Sequence, residues 1–295
     1  MNEPPQVKPD VRGSGSISVL GIRWGIFAIP AAIALLFSFG TPLVYMATKS
    51  LYRFAGPGQT QGPASLQNFS DFVTDAHFMG VLMDTFLIGF AVVSICALLG
   101  YPVAYCLART QSRLRGVMIF IVLGPLLISG VIRNLGWVPL LGNNGFINWL
   151  LLTVGIVAEP IRLVNNTIGV VIGTVHAMLP FMILMLMTVI QRINPALEEA
   201  ALSLGASQWK KFWLIIFPLS LPGLIGGYLI VFTLSISAYT TPAMLGGNRV
   251  TVMSTFVAQQ VRYVLNYPLG ATAAVVLMVA AVLFTVFASR VSRAP

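Results

Sequence analysis

The chain has 295 residues, 57% of them hydrophobic and only 8% charged, with a formal net charge of +9. Apolar runs longer than the roughly 20 residues that cross a bilayer exclude an ordinary soluble domain. The basic residues are scattered between those runs rather than gathered on one face, which argues against nucleic acid as a partner.

Residues 1–23, rich in Pro, Gly and Ser, are expected to form a disordered tail. The first window free of Asp, Glu, Lys and Arg, Trp24–Thr48, is too long for a signal-peptide core of about 7–15 residues and is expected to remain as an anchor helix over 24–48. A loop on the extracytoplasmic side follows over 49–83. The core, 84–290, contains five more charge-free windows: Thr85–Ala108, Gly116–Ile132, Leu163–Gln191, Phe212–Asn248 and Tyr263–Ser289. Each is long enough for a transmembrane helix, which makes six spans in an all-α membrane protein. The window Asn134–Ala158 is interrupted by GNNG at Gly142–Gly145, leaving a short apolar piece, Phe146–Ala158, to lie at the interface or re-enter the membrane. Cys96 and Cys106 fall ten residues apart on one helix, roughly 15 Å, too far for a disulfide.

Six spans put both termini on one side. The N-terminal tail, the 109–115 and 192–211 loops and the C-terminal tail 291–295 with its flank hold eleven Lys and Arg, against six on the other side. The positive-inside bias therefore places both termini and the 192–211 loop in the cytoplasm.

That loop is the most shaped polar stretch of the chain. Asn194 is a good N-cap and Pro195 suits a first helical turn. Leu197, Ala200, Ala201 and Leu204 share one apolar face, with Glu198 and Glu199 near the positive helix end. Gly205 is expected to stop this helix in a left-handed conformation, and Ser207 to cap a second one that opens with Trp209, Lys210 and Lys211. Lysines there oppose the helix dipole, so the sequence suggests lipid phosphates or an acidic partner for them. Small residues on one face let another backbone approach closely.

A substrate pathway is expected at the broken apolar stretches. The window from 212 to 248 exceeds one crossing, so SISAYTTPAMLGG must bend back or unwind, which is tolerated at membrane depth only against protein or a cavity. Tyr239, Thr240 and Thr241 offer hydroxyls there, and Arg133 and Asn134 follow the third span. Arg133 either snorkels to the interface or lines the pathway. As lining it would suit a zwitterionic or anionic solute at least as well as a polycation.

From Glu199 to Pro218 the chain reads EAALSLGASQWKKFWLIIFP, which resembles the EAA loop of binding-protein-dependent ABC importer permeases. Glu199, Ala200, Ala201, Gly205, Ile215 and Pro218 stand at the spacing of that motif. The stretches LGYPVAYCLAR, LISGVIRNLGW, LLGNNGFIN, VHAMLPFMIL and YTTPAMLGG are similar to the spermidine/putrescine-type permeases. The resemblance implies a type I importer fold in the bacterial inner membrane, with this loop as a coupling helix seated on a cytoplasmic ATPase. The coupling residues it singles out are Glu198, Glu199, Ala200, Ala201, Gly205, Ser207, Lys210 and Pro218. It further implies two ATPase subunits that bind ATP and Mg, a second and different permease chain, an extracytoplasmic solute-binding protein, and no catalytic residue, cofactor or metal in this chain. The implied cargo is a small polar solute, polyamine-like or a phosphonate, opine-like compound, thiamine or chelated iron. No Walker A glycine loop occurs in the sequence.

Two other classes fit the sequence less well. An ion-coupled secondary transporter should show ionisable residues inside its spans or inverted halves, and neither is evident. An intramembrane serine protease would need Ser207 beside His176, but that serine sits in a charged loop outside the membrane.

Overall fold

The computed structural model describes the backbone of residues 17–291 and the side chains of residues 29–290. The stretches expected as tails at 1–16 and 292–295 lie outside the described residues. Two units are distinguished, one ending at Lys49 and one beginning at Ser50.

The first unit is α1, Ile17–Lys49, helical throughout despite Pro30 and Pro42. It begins seven residues before the expected start at Trp24, so Ile17–Arg23 is helix and not tail. One arginine does not end a helix, because straight-chain residues are good helix formers.

The second unit opens with a two-stranded antiparallel hairpin, β1 (Arg53–Gly56) and β2 (Gln59–Gln61), and a short helix α2 (Gln67–Thr74). The expected all-α loop thus carries a small hairpin, turned at Gly58 (φ +76°), a backbone angle that glycine adopts without a Cβ penalty. Next come α3 (Ala76–Arg109), α4 (Arg115–Leu127), α5 (Gly130–Leu141), α6 (Phe146–Thr153) and α7 (Thr167–Arg192). The 192–211 segment holds α8 (Pro195–Ser203) and α9 (Gln208–Lys211), followed by α10 (Phe217–Ser237), α11 (Met253–Gln259) and α12 (Tyr267–Val291).

α3 starts eight residues before the expected core boundary, at Ala76 rather than 84, because Asp75 caps it by accepting from the His77 amide at 2.8 Å. Asp84 is simply exposed on its side. At 34 residues α3 is about 51 Å long. It packs with α7 and α10 around Val92, Cys96, Met182, Leu186, Val231 and Phe232, all essentially buried. Close approach depends on Gly89, where a Cβ would stand 2.7 Å from Ile236 Cγ2.

The third window is not one straight span. α4 ends at Leu127 after 13 residues, about 20 Å, too short for a hydrocarbon core of about 30 Å. Pro125 weakens its last turn, Ile128 and Ser129 turn extended, and the following pair α5–α6 leaves at 96°. The bent group nevertheless makes a crossing. α3 ends beside α8, whereas α7 begins at the opposite end of the unit, where the Asn165 amide donates to Leu245 O at 2.7 Å. α4 to α6 must therefore traverse that distance. Together with five helices long and apolar enough to span, this gives six candidate crossings among the described residues.

Arg109, Ser112 and Gln208 thus fall at one end of the second unit, and Gln61, Asn248 and Leu265 at the other. In a background lacking Cys96 and Cys106, a cysteine at Ser112 or Gln208 is expected to be shielded from a membrane-impermeant thiol reagent in intact cells, and one at Gln61 or Asn248 to be labelled. The opposite pattern would reverse the cytoplasmic assignment.

Candidate functional site

The 192–211 segment is built largely as its residues dictate. The Asn194 side chain accepts from the Ala196 amide at 3.0 Å, and Pro195 occupies the first turn of α8. Gly205 takes φ +85°, and the Ser207 hydroxyl accepts from the Lys210 amide at 3.3 Å. α9 runs into α10 through a π turn at Phe212–Ile216. Pro218, which has no amide to donate, stands just beyond it, and the widened turn lets the Phe217 amide reach Phe212 O instead.

Burial sorts the two glutamates. Glu199 is exposed, as are Ala200 and Lys210, while Ala201 is half-buried. Leu204 is 88% exposed and Trp209 70%, so α8 and α9 present an apolar, unpartnered surface flanked by Glu199. Glu198 is 7% exposed and faces inward. Its Oε1 accepts from Arg109 Nε at 2.7 Å and lies 2.6 Å from Nη2. Its Oε2 accepts from the Tyr105 hydroxyl at 2.8 Å and lies 3.1 Å from Lys211 Nζ. Burial pushes the Glu198 carboxyl up, but the hydrogen bonds from Tyr105 and Lys211 and the charge and hydrogen bond of Arg109 outweigh it, holding the group below its ordinary range.

This corrects the sequence expectation for Lys211. It is 8% exposed and its charge is spent on Glu198, not on lipid or on another molecule. Arg109 is a further member of the site that sequence reasoning missed, because 89 residues separate it from Glu198.

At the other end lies a cavity of about 770 Å³ lined by His77, Tyr239, Asn248, Thr251, Gln259 and Tyr263, among others. The chain does break where expected: α10 stops at Ser237, a π turn occupies Pro242–Gly246, and Gly247 has φ +55°. Ser254 donates to Ala238 O at 2.7 Å, taking up a carbonyl that the ended helix leaves open.

Of the residues expected along the pathway, Tyr239 lines this cavity, and Thr240 beside it is half-buried. Asn134 and Thr241 are buried against each other: the amide donates to the hydroxyl at 3.2 Å, and the hydroxyl lies 3.3 Å from Asn134 Oδ1. They pin α5 to the turn after α10 and do not face the cavity. Arg133 folds back, Nη1 donating to Pro125 O at 2.8 Å, and so satisfies a carbonyl orphaned by the break between α4 and α5. The cation over the Tyr239 ring is Arg262, 5.6 Å from the ring centre. His176 Nδ1 accepts from Trp137 Nε1 at 3.0 Å, and Ser207 is a helix cap, so the two form no nucleophile and base.

Residues 97–294 match the family model described as "Binding-protein-dependent transport system inner membrane component". The chain is 32% identical over 217 residues to the spermidine/putrescine transport system permease protein PotB of Haemophilus influenzae, covering 74% of this chain and 76% of that protein. It is 29% identical over 223 residues to the sulfate transport system permease protein CysW of Synechocystis, covering 74% and 78%. Among solved structures, a chain of a bacterial alginate ABC transporter in complex with an alginate pentasaccharide-bound periplasmic protein superposes with a TM-score of 0.76 at 18% identity, covering 94% of this chain and 96% of that one. A chain of the MetNI methionine ABC transporter superposes with a TM-score of 0.56 at 19% identity, covering 75% and 98%.

Proposed function

Because this chain belongs to the inner membrane components of binding-protein-dependent transport systems, we propose that its cavity passes a small organic cation and that its 192–211 segment seats on a cytoplasmic ATPase. The chain is a multi-pass inner membrane permease subunit of an ABC import system and is not itself an enzyme. The ATPase is a separate subunit, and on this reading two copies of it bind ATP and Mg, a second, different permease completes the pathway, and an extracytoplasmic binding protein delivers cargo to the cavity end.

The exposed surface of α8 and α9 supports the docking assignment. Leu197, Leu204 and Trp209 stand open beside Glu199, a combination that a soluble loop would bury or avoid and that a partner groove would cover. Glu199, Ala200, Ala201 and Lys210 form the contact, while Gly205, Ser207 and Pro218 shape it and Glu198 holds it from behind.

The lining chemistry carries the cargo assignment. The cavity offers hydroxyls, side-chain amides and the faces of Tyr239 and Tyr263, with no fixed charge among the residues that line it. Since Arg133 is committed to Pro125 O, the reason for preferring an anion falls away. Aromatic faces with neutral oxygens suit ammonium groups; Arg262 takes one face of Tyr239, which leaves its other face and the exposed ring of Tyr263 to the cargo. A spermidine- or putrescine-like amine, as named for the Haemophilus relative, fits this chemistry. In the intact importer, Tyr239→Ala is expected to lower spermidine uptake by roughly tenfold, between the values of an exposed and a desolvated cation–π contact, while ATPase subunits still co-purify. Unchanged uptake in that variant, with uptake measurable in the parent, would remove Tyr239 from the pathway.

A further inference from the structure

We propose that Glu198, Arg109, Lys211 and Tyr105 form the junction that ties α8 to α3 and to the start of α10, through which movement of α8 reaches the cavity. This rests on the reading of α8 as the ATPase-seated element.

The route follows from which helices hold both ends. Arg109 is the last residue of α3, and Tyr105 lies one turn before it. Lys211 ends α9, which continues through the π turn into α10. All three side chains converge on the carboxylate of one α8 residue. α7, by contrast, leads to α8 through Ile193 and Asn194, both extended, and the Ile193 carbonyl is itself held by Arg109 Nη2 at 3.1 Å.

At the far end both helices lead to the cavity, most of whose lining comes from residues 243–263, the segment that follows α10 in the chain. His77 sits in the first turn of α3 and Tyr239 two residues past α10, and both line the cavity, to which α7 supplies no lining residue among those described. α3 and α10 are packed on each other along their length, with Gly89 against Phe232 and Ile236. A displacement applied at Glu198 therefore acts on two rigid bodies that end at the cavity, which is the kind of contiguous element that can carry coupling between distant sites.

The charge balance offers clean variants. Glu198 faces two cations, so Lys211→Met leaves a neutral pair with Arg109, and Arg109→Met leaves a neutral pair with Lys211. Arg109→Met removes the tie of α8 to α3, Lys211→Met removes its side-chain tie to the start of α10, and neither strands a buried charge. The test uses the intact importer with Cys96 and Cys106 replaced and a single cysteine at Gln259 in the cavity. Its labelling rate by an impermeant maleimide is compared without nucleotide and with the ATPase trapped by ATP and vanadate.

In the unaltered junction the rate is expected to change on trapping. In Lys211→Met and in Arg109→Met, each made singly, that change is lost while the ATPase still co-purifies and hydrolyses ATP, and Lys211→Arg restores it. A purely structural role would lower the yield of complex and leave the switch intact in what assembles. A switch that persists in both variants, or that vanishes only together with ATPase association, overturns the junction. Absence of any switch in the unaltered chain instead refutes the ATPase-seated reading, and the junction falls with it.

Discussion

Replacing Glu198 with alanine is expected to destabilise the permease by about 3 kcal/mol, far more than a typical surface substitution. The change leaves Arg109 and Lys211 close together and largely buried with no anion between them, and it removes the acceptor of the Tyr105 hydroxyl. Breaking a buried pair by deleting one partner costs more than deleting both, because the remaining charge keeps its desolvation penalty. Glu198→Ala combined with Lys211→Met should therefore cost less than the sum of the two single changes.

The pH dependence has a definite sign. The folded-state carboxyl of Glu198 is held below its ordinary range, so its contribution is fully present above the usual carboxylate pKa and is lost as pH falls through the depressed value. Thermal unfolding of the purified permease across that acid range checks both points. An alanine variant that melts with the parent, or a parent and variant that respond alike to acid, would show that the clasp contributes nothing.

Glu199→Lys and Gly205→Val are expected to abolish transport while leaving the fold in place. Glu199 is exposed and has no role in packing, so the lysine changes only the surface offered to the ATPase. At Gly205 there is open space around a would-be Cβ, and the cost is confined to φ +85°, roughly 1–2 kcal/mol for a side chain forced into the left-handed region. That is enough to redirect the turn between α8 and α9 and too little to unfold a protein of this size. Melting temperature close to the parent, together with loss of ATPase co-purification and uptake, is the expected outcome. Normal uptake in both variants would end the docking role of this segment.

Much of the local architecture was legible because it depends on neighbours in sequence. The charge-free windows reported the crossings, since hydrocarbon tolerates few charges whatever the fold. Asn194, Pro195, Gly205 and Ser207 announced the two short helices, because capping and left-handed turns are settled within a few residues. The break within SISAYTTPAMLGG followed from the length of its window and the polar, Pro- and Gly-containing end.

What stayed hidden depends on contacts across long separations. Nothing near Glu198 distinguishes it from Glu199, and only the packing of α3 against α8 turns one carboxylate inward to Arg109 and leaves the other facing out. Arg133 and Asn134 carried the right chemistry for a pathway, yet Arg133 was drawn to the carbonyl freed at Pro125 and Asn134 to Thr241, because buried polar groups in an apolar setting must find partners within the fold. The sequence by itself determined that this is a multi-span membrane protein with an EAA-like loop, through the transfer energetics of its apolar runs and the short-range chemistry of its turns. Only the tertiary structure decided which side chains face the cavity and which clasp α8, because burial and pairing are settled by helices that meet far apart in the chain.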